Sequence, residues 1–393
     1  MLLGVTGGIA SYKSVALARS LTQAGAEVDV VLTRSAQEFV GPVTFEALTG
    51  REVYTALIAA GHALDHIKLA RAADLVIVAP ATADFLAQAA HGTAGELLSA
   101  ILLAASAPVL LVPAMNDRMW GHPQTMRNAT HLREIGYHVL EPERGELAVG
   151  EGSGPGRMPE PETIAAHAAR LLESTSSLAG CRIVVTAGPT REAVDPVRFV
   201  SNRSSGRMGV AIAEAAWRRG ATVHLIVGPV GIPLPTIFAV ERIESTEDML
   251  AAVMREIATA DVLVMAAAPA DFRPAAVAPG KIKKASAPAA IPVVPTPDIL
   301  CETASARRGR VLTIGFALET DDVLAHAREK LARKRLDMIV VNDAREAGAG
   351  FEVETNRVTL LTPDGSSEAL PLLSKPEVAD ELLDRLERML GGR

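Results

Sequence analysis

The chain opens twice. Leu2-Leu3-Gly4-Val5 is a short apolar run that ends in Thr6-Gly7-Gly8-Ile9-Ala10 and passes into a helical pattern from Ser11 to Ala24. Ile183-Val184-Val185 repeats the move: it ends in Thr186-Ala187-Gly188-Pro189-Thr190, and Ser204-Ser205-Gly206-Arg207-Met208-Gly209 then leads into an alanine-rich helical pattern from Val210 to Arg219. A buried strand, a small-residue loop and a helix start form an anion-ready arrangement, because the first backbone N–H groups of a helix have no partner inside it. Two such openings, each continued by a helix and a second strand, predict two nucleotide-binding domains in tandem.

Length agrees with that division, since 393 residues exceed what one hydrophobic core usually serves. With 49% hydrophobic and 22% charged residues, packed globular domains are expected rather than disorder. A net charge of −7 argues against a partner held by bulk electrostatics, so no nucleic acid is expected. The two cysteines, Cys181 and Cys301, exclude a disulfide framework or a multi-cysteine zinc site. No apolar run approaches the roughly 18 residues of a membrane span, and the chain begins without a basic leader, so a cytoplasmic protein with no membrane partner is expected.

In the first unit, further strands are expected at Val28–Leu32, Leu75–Val78 and Pro108–Val112, with Thr33, Ser35, Thr82 and Asn116 just beyond their carboxyl ends, where open α/β sheets bind ligands. Lys13 is expected to face solvent. Residues 145–161 are glycine-rich and without periodicity, which reads as a flap or linker. A helix over Thr163–Glu173 and the run Ser174-Thr175-Ser176-Ser177 close the unit, placing the domains at 1–175 and 176–393. The second unit has strands expected at Val223–Val227, Val262–Ala266, Val311–Phe316 and Met338–Val341. A long loop or arm follows over Pro269–Pro297, a hairpin over Phe351–Leu361 with Asn356 at its turn, and a last helix over Val378–Leu390. The fold class is therefore α/β: two Rossmann-like domains, each a mainly parallel sheet with helices on both faces.

Single motifs decide little. Gly7-Gly8-Ile9-Ala10-Ser11 lacks both the dinucleotide fingerprint and the P-loop lysine spacing, and a tight strand-to-helix turn explains it equally well. Asn116, between Met115 and Met119 after a buried strand, offers donors and an acceptor that can orient a carboxylate, although loop punctuation is the plain alternative. His66 is a possible general base or an ordinary surface histidine. Lys281-Ile282-Lys283-Lys284 reads as a solvated charge run, and Lys330 with Lys334 as one helix face.

The ordered set is more specific than its members. GVTGGIASYK, the His66 segment, APATAD at 79–84, PAMNDRMW at 113–120 and GPGRM at 154–158 follow the order and spacing of the flavin-containing cysteine decarboxylases, and the first unit resembles phosphopantothenoylcysteine decarboxylase. The resemblance implies FMN bound by Gly8, Ser11, Thr33, Ser35 and Thr82, His66 as the active-site base, Asn116 on the substrate carboxylate and Met119 in the substrate pocket. The flap departs from the pattern: Val149 stands where the family has a proton-donating cysteine, and valine cannot donate a proton. Water, Glu151 or Ser153 would have to serve instead, or the flap sits in a different register, or the reaction stalls after oxidation.

The second unit resembles phosphopantothenate–cysteine ligase through TAGPTRE at 186–192, DPVR at 195–198, SN at 201–202, SSG at 204–206, ADFRP at 270–274, KIKK at 281–284, TPDI at 296–299, GFA at 315–317 and ND at 342–343. The resemblance implies a CTP site from Asp271, Lys281, Pro297, Asp298, Ile299, Leu300, Phe316, Lys330 and Lys334, with Arg198 and Asn202 acting on an acyl-cytidylate, Lys281 on its formation and Mg²⁺ as divalent cation. Together the halves resemble the fused enzymes of coenzyme A biosynthesis. The expected substrates are 4′-phosphopantothenate, cysteine, CTP and 4′-phosphopantothenoylcysteine, and the expected assembly is a homo-oligomer, with trimeric or dodecameric flavin domains and dimeric ligase domains. The alternative is an active ligase whose flavin-binding domain is regulatory or only partly catalytic, because of Val149. Two generic NAD or sugar-nucleotide domains are disfavoured, since neither opening carries G-x-G-x-x-G with an acid downstream.

Overall fold

Strand interiors made of Leu, Ile and Val on both faces can be buried only between two helical layers, and this dictates both halves of the molecule. A computed structural model describes all residues except 59–62, 147–149, 151, 174–175, 284–289, 308, 320–321, 344–352 and 392–393. Val149, Glu151, Lys284 and Phe351 thus lie outside the described residues. The chain divides into two compact units, Met1–Ser174 and Thr175–Arg393.

In the first unit, β1 (Leu2–Val5), β2 (Asp29–Leu32), β3 (Val53–Tyr54), β4 (Val76–Ala81), β5 (Val109–Pro113) and β6 (His138–Val139) form one parallel sheet in the order β3-β2-β1-β4-β5-β6. Because side chains alternate along a strand, Leu3 and Val5 enter the core beside α1 (Ser11–Gln23), whereas Leu2 enters the opposite core with Leu98 and Ile101. Gly4 must lack a side chain, since a Cβ there would stand 2.4 Å from Leu98 Cδ1. The remaining helices are α2 (Pro42–Thr49), α3 (Asp65–Ala72), α4 (Ala83–Ala90), α5 (Leu97–Ala104), α6 (Asp117–Trp120), α7 (Pro123–Glu134) and α8 (Pro161–Leu172).

Among the described residues, the glycine-rich segment over 145–161 contributes to two strands. β7 (Glu143–Glu146) pairs antiparallel with β8 (Ser153–Arg157). Gly and Pro weaken strand propensity, so the ribbon is invisible to a pattern reading, yet an edge ribbon tolerates Pro155 because its missing N–H costs no interior ladder bond.

The second unit repeats the topology. β9 (Arg182–Ala187), β12 (Thr222–Val227), β13 (Ala239–Arg242), β14 (Val262–Met265), β17 (Leu312–Glu319) and β18 (Met338–Asp343) run parallel in the order β13-β12-β9-β14-β17-β18. β20 (Thr359–Leu361) and β21 (Ser367–Ala369) extend this sheet antiparallel. Two short ribbons stand outside it, β10 (Arg191–Ala193) with β11 (Phe199–Ser201) and β15 (Phe272–Pro274) with β16 (Val293–Pro295), so the two ends of the expected arm over 269–297 pair with each other. The expected terminal hairpin is corrected: β19 (Thr355–Asn356) pairs with β22 (Leu373–Ser374), and Asn356 is a buried strand residue, not a turn. Its local sequence favours a turn, but its side-chain bond to Asn342 holds it in the interior.

The helices of this unit are α9 (Arg207–Arg218), α10 (Thr246–Glu256), α11 (Ile299–Glu302), α12 (Ala304–Arg307), α13 (Val323–Arg333) and α14 (Lys375–Gly391). α14 is clamped to α9: Arg219 Nη1 donates to Asp384 at 2.6 Å and Glu387 at 2.9 Å, its Nη2 to Asp380 at 3.2 Å, and Arg218 also bonds Asp380. In both sheets the strand order reverses beside the first strand, between β1 and β4 and between β9 and β14, and a crevice opens at the carboxyl ends there.

Candidate functional site

The first crevice is built on the turn after β1. Ser11 Oγ is fully buried and donates to the carbonyls of Thr6 at 3.0 Å and Gly8 at 2.7 Å, which fixes the turn. Thr6 Oγ1 donates to Pro80 O at 2.8 Å and accepts from Thr82 N at 3.1 Å, joining the ends of β1 and β4. Thr82 in turn caps α4 by accepting from Phe85 N. A cavity of about 420 Å³ opens there, with Gly8, Tyr12, Thr82, Asn116, Met119 and Gly156 among its walls. The nearest atom to a Cβ built on Gly8 is Thr82 Cγ2 at 4.0 Å, so the backbone is bare toward the cavity. Asn116, in the cavity wall, accepts from Arg118 N through Oδ1 at 2.9 Å, which leaves its amide nitrogen outside that cap.

Other expected residues stand behind this surface. Ser11, Thr33 and Ser35 are not among the cavity's lining residues. Thr33 Oγ1 accepts from Ala36 N at 3.2 Å, and Ser35 Cβ would lie 2.4 Å from a Cβ at Gly7, so these residues shape the turn. Lys13 overturns expectation: it is buried, and its Nζ donates to Met158 O at 2.8 Å and Glu160 Oε1 at 3.1 Å. A surface reading of a helical lysine fails because α8 and the segment after β8 close over it. Burial pushes the Glu160 carboxyl up, but Lys13 and Arg157 outweigh this and hold it below its ordinary value. His66 sits at the start of α3 with Nδ1 buried and without a hydrogen bond, and it does not line this cavity. Sequence reasoning missed Tyr12 and Glu146, which do; neither has a motif-level signal beyond its place in GVTGGIASYK and the flap.

The second crevice follows β9, β14 and β17. A cleft of about 360 Å³ is lined by Asn202, Asp271, Phe316, Lys330 and Lys334, and by the turn entering α9. Asp271, Phe316 and Lys334 also line an adjoining pocket of about 150 Å³, whose far wall is Pro297, Asp298, Ile299 and Leu300. Residues from five separated segments thus meet at one place. Gly206, with φ of 77°, caps α9 in the left-handed region, and a Cβ there would meet Val230 Cγ1 at 2.7 Å.

Polar bonds hold these walls. Asn202 Nδ2 donates to Ala268 O at 3.1 Å and Pro269 O at 2.9 Å. Lys334 Nζ lies 3.1 Å from Asp298 Oδ2, and Asp298 accepts from Cys301 N to cap α11. Burial pushes the Asp298 carboxyl up, while Lys334 and the Cys301 N–H more than offset it, leaving it below the ordinary carboxylate value. Arg307, itself buried, donates to Leu300 O at 2.6 Å, Lys334 O at 3.1 Å and Thr313 Oγ1 at 2.7 Å.

Arg198 and Lys281 do not line the cleft. Arg198 Nε donates to Asp195 Oδ2 at 3.0 Å and its Nη2 to Ile282 O at 2.8 Å, while Ile282 N donates to Asp195 Oδ2 at 3.1 Å. The pair therefore grips the backbone beside the exposed Lys281. Arg198 first, and the backbone N–H groups of Ile282, Val197 and Arg198 against the push of burial, hold Asp195 well below the usual carboxylate range. Lys375, Arg207 and Asn356 also line the cleft and were not read as site residues: Lys375 lies outside any recognised motif, Arg207 sits inside the 204–209 turn without a role assigned to it, and Asn356 reads as a turn.

Residues 1–173 match the flavoprotein family, and residues 178–390 match the DNA/pantothenate metabolism flavoprotein C-terminal domain. The coenzyme A biosynthesis bifunctional protein CoaBC of Mycobacterium tuberculosis strain H37Rv is 47% identical over 407 residues, covering 100% of this chain and 97% of that protein. Its namesake from Bacillus subtilis strain 168 is 45% identical over 391 residues, covering 98% of this chain and 96% of that protein. The one from Vibrio vulnificus strain YJ016 is 42% identical over 395 residues, covering 100% and 98%. The chain belongs to the family of coenzyme A biosynthesis bifunctional proteins. It is an enzyme with ligase and decarboxylase activities, and its first unit is a flavoprotein domain. Among the described residues no helix is long and apolar enough to cross a membrane.

Proposed function

We propose that the second unit joins cysteine to 4′-phosphopantothenate at the expense of CTP, and that the first unit, holding FMN, decarboxylates the resulting 4′-phosphopantothenoylcysteine to 4′-phosphopantetheine. The observation that carries the ligase half is the meeting of Asn202, Asp271, Phe316, Lys330 and Lys334 around one cleft. The substrate carboxylate attacks the α-phosphorus of CTP and pyrophosphate leaves with the electron pair; the amine of cysteine then displaces CMP from the acyl-cytidylate. Both steps move negative charge, which the Lys330 and Lys334 ammonium groups and the N–H groups entering α9 are placed to stabilise. Asp271 is the carboxylate available in the lining to hold Mg²⁺ against the triphosphate, and one protein carboxylate plus phosphates suits that ion. Asn202 fixes the loop after β14, and Arg198 with Asp195 presents Lys281 on its exposed loop.

In the first unit, the bare Gly8 backbone, the capped start of α4 and the surrounding apolar walls suit a flavin phosphate and ring. Flavin held there supplies the oxidation that turns the substrate thiol into an electron sink for loss of CO₂. The half of the Asn116 amide left free is offered to the leaving carboxylate, and Met119 walls the pocket. Ser11, Thr33 and Ser35 act by shaping the turn. His66, absent from its own chain's cavity, is assigned as the base to the cavity of a second copy in a trimeric or larger flavin assembly; exposed Ile9 and Tyr12 beside the cavity suit such a contact. Dimeric ligase domains and a cytoplasmic setting complete the reading.

Relatives matched over the whole chain are bifunctional, which favours turnover over a regulatory flavin domain despite Val149. Anaerobic mixing with phosphopantothenoylcysteine should bleach and then recover the flavin absorbance while phosphopantetheine appears; permanent bleaching would transfer support to the partly catalytic alternative. Asn202→Asp and Lys281→Gln should each lower ligase kcat/KM by about 100-fold or more while decarboxylation stays normal. Normal ligase rates would remove those assignments.

A further inference from the structure

The ligase cleft has a cationic end that the reading above does not use. Lys375, the first residue of α14, is 4% exposed yet lines the cleft, together with Arg207 and Gly206 at the start of α9, and Asn356 and Asn342. Its placement is enforced from several sides. Lys375 N donates to Glu354 O at 3.1 Å, Glu354 pairs with Arg207 at 3.0 Å, and the Arg218 and Arg219 bonds to Asp380, Asp384 and Glu387 lock α14 along α9. Because α9 enters this region by its first residues and its N-cap, Gly206, offers no side-chain cap, the N–H groups there add positive potential beside two cationic side chains.

The cavity also has a direction. The adjoining pocket with Pro297–Leu300 contains neither Lys375 nor any residue of 204–209, and the two spaces meet at Asp271, Phe316 and Lys334. A ligand with a flat ring in the smaller pocket therefore runs past Phe316 and Lys334 before reaching Arg207 and Lys375. A nucleoside triphosphate has that layout, neutral at one end and most anionic at the other.

We propose that Lys375 is a phosphate-binding residue of the ligase cleft, taking the β- and γ-phosphates of the nucleotide and neutralising the pyrophosphate that leaves when the α-phosphorus is attacked. The assignment rests on the reading that this cleft binds a nucleoside triphosphate. Burial, with Arg207 nearby, draws the Lys375 ammonium below its ordinary value against the opposing pull of Glu354. An arriving polyphosphate favours the ammonium form against that burial, so binding and charge reinforce each other.

A phosphate ligand has two sources here, the nucleotide tail and the phosphomonoester of phosphopantothenate, and the test separates them. Full-length Lys375→Met is titrated calorimetrically with CTP, CMP and pyrophosphate, and its ligase KM values are measured for each substrate. The expected result is about tenfold or greater weakening for CTP and pyrophosphate, CMP and phosphopantothenate unchanged within about twofold, and partial recovery in Lys375→Arg. Equal weakening of CMP and CTP would mean collapse of the wall and would overturn the assignment. A loss confined to the phosphopantothenate KM would hand the residue to the phosphomonoester and overturn it as well, as would unchanged CTP binding. If Lys375→Met does not fold, Lys375→Gln carries the same comparison. Wild-type protein that binds ATP but not CTP, with the same Lys375 dependence, would sink the CTP reading and keep this one; wild-type protein that binds neither sinks both.

Discussion

Lys13 shows how much one side chain can hold. Its ammonium bridges Met158 O and Glu160 beneath the first crevice, and it is buried, whereas Glu160 is half exposed. Removing the ammonium strands a buried carbonyl and a carboxylate already flanked by Arg157. Lys13→Met should therefore destabilise the first unit by about 2 kcal/mol, read as a drop in the midpoint of its thermal transition, with ligase activity unchanged. A neutral result would show that Arg157 alone anchors Glu160. Nothing at the sequence level marks Lys13 as buried: it stands on a helix whose partners, Met158 and Glu160, are remote in sequence. The places of Thr82 and Asn116 were legible for the opposite reason, because one directly follows a buried strand and the other stands three residues beyond one, where local chain direction sets the position.

At the scale of elements, the ligase pocket depends on a tie between short pieces. Arg307, on α12, joins α11 through Leu300 O to the end of α13 through Lys334 O. Its burial pulls the guanidinium below its ordinary value, with Asp337, Cys301 and Asp298 pulling the other way, but it remains a cation without a carboxylate hydrogen-bond partner among the described residues. Arg307→Met should raise the KM for CTP by about tenfold while the KM for phosphopantothenate and flavin turnover stay near normal; the comparison of the two KM values is the measurement. Equal increases in both would reduce Arg307 to a general packing role. The principal strands were legible, β1 to the residue and most others within a few residues, because interior parallel strands are continuous apolar runs. The ribbons β7–β8, β15–β16 and β19–β22 were not, since strands of two to five residues are too short to show a period and their pairing is decided by what lies opposite.

At the scale of the molecule, two compact units imply two responses. His167, on α8, is pulled down to about 4 by burial, then by Arg170 and His138, from an ordinary 6.5. The folded unit keeps this ring neutral while the unfolded chain protonates it, so stability is fully present above 6.5 and is lost as pH falls from 6.5 toward about 4. In calorimetry the first unit's transition should fall by several degrees between about pH 7.5 and about pH 4.5, and His167→Gln should flatten that fall. The transition that CTP shifts should not respond to this substitution; if it does, the units do not unfold separately.

The clamp of α14 on α9 also carries a temporal consequence. The six parallel strands of the second sheet are complete at Asp343, yet Asn356 and Lys375, which finish the cleft wall, belong to segments that follow them in the chain. On a ribosome the sheet can assemble while these segments are still being made. The nucleotide cleft is complete only after translation has delivered the start of α14 and the acidic side chains that bind Arg218 and Arg219, so a chain terminated before α14 lacks part of its cleft wall and nucleotide protection marks completed molecules.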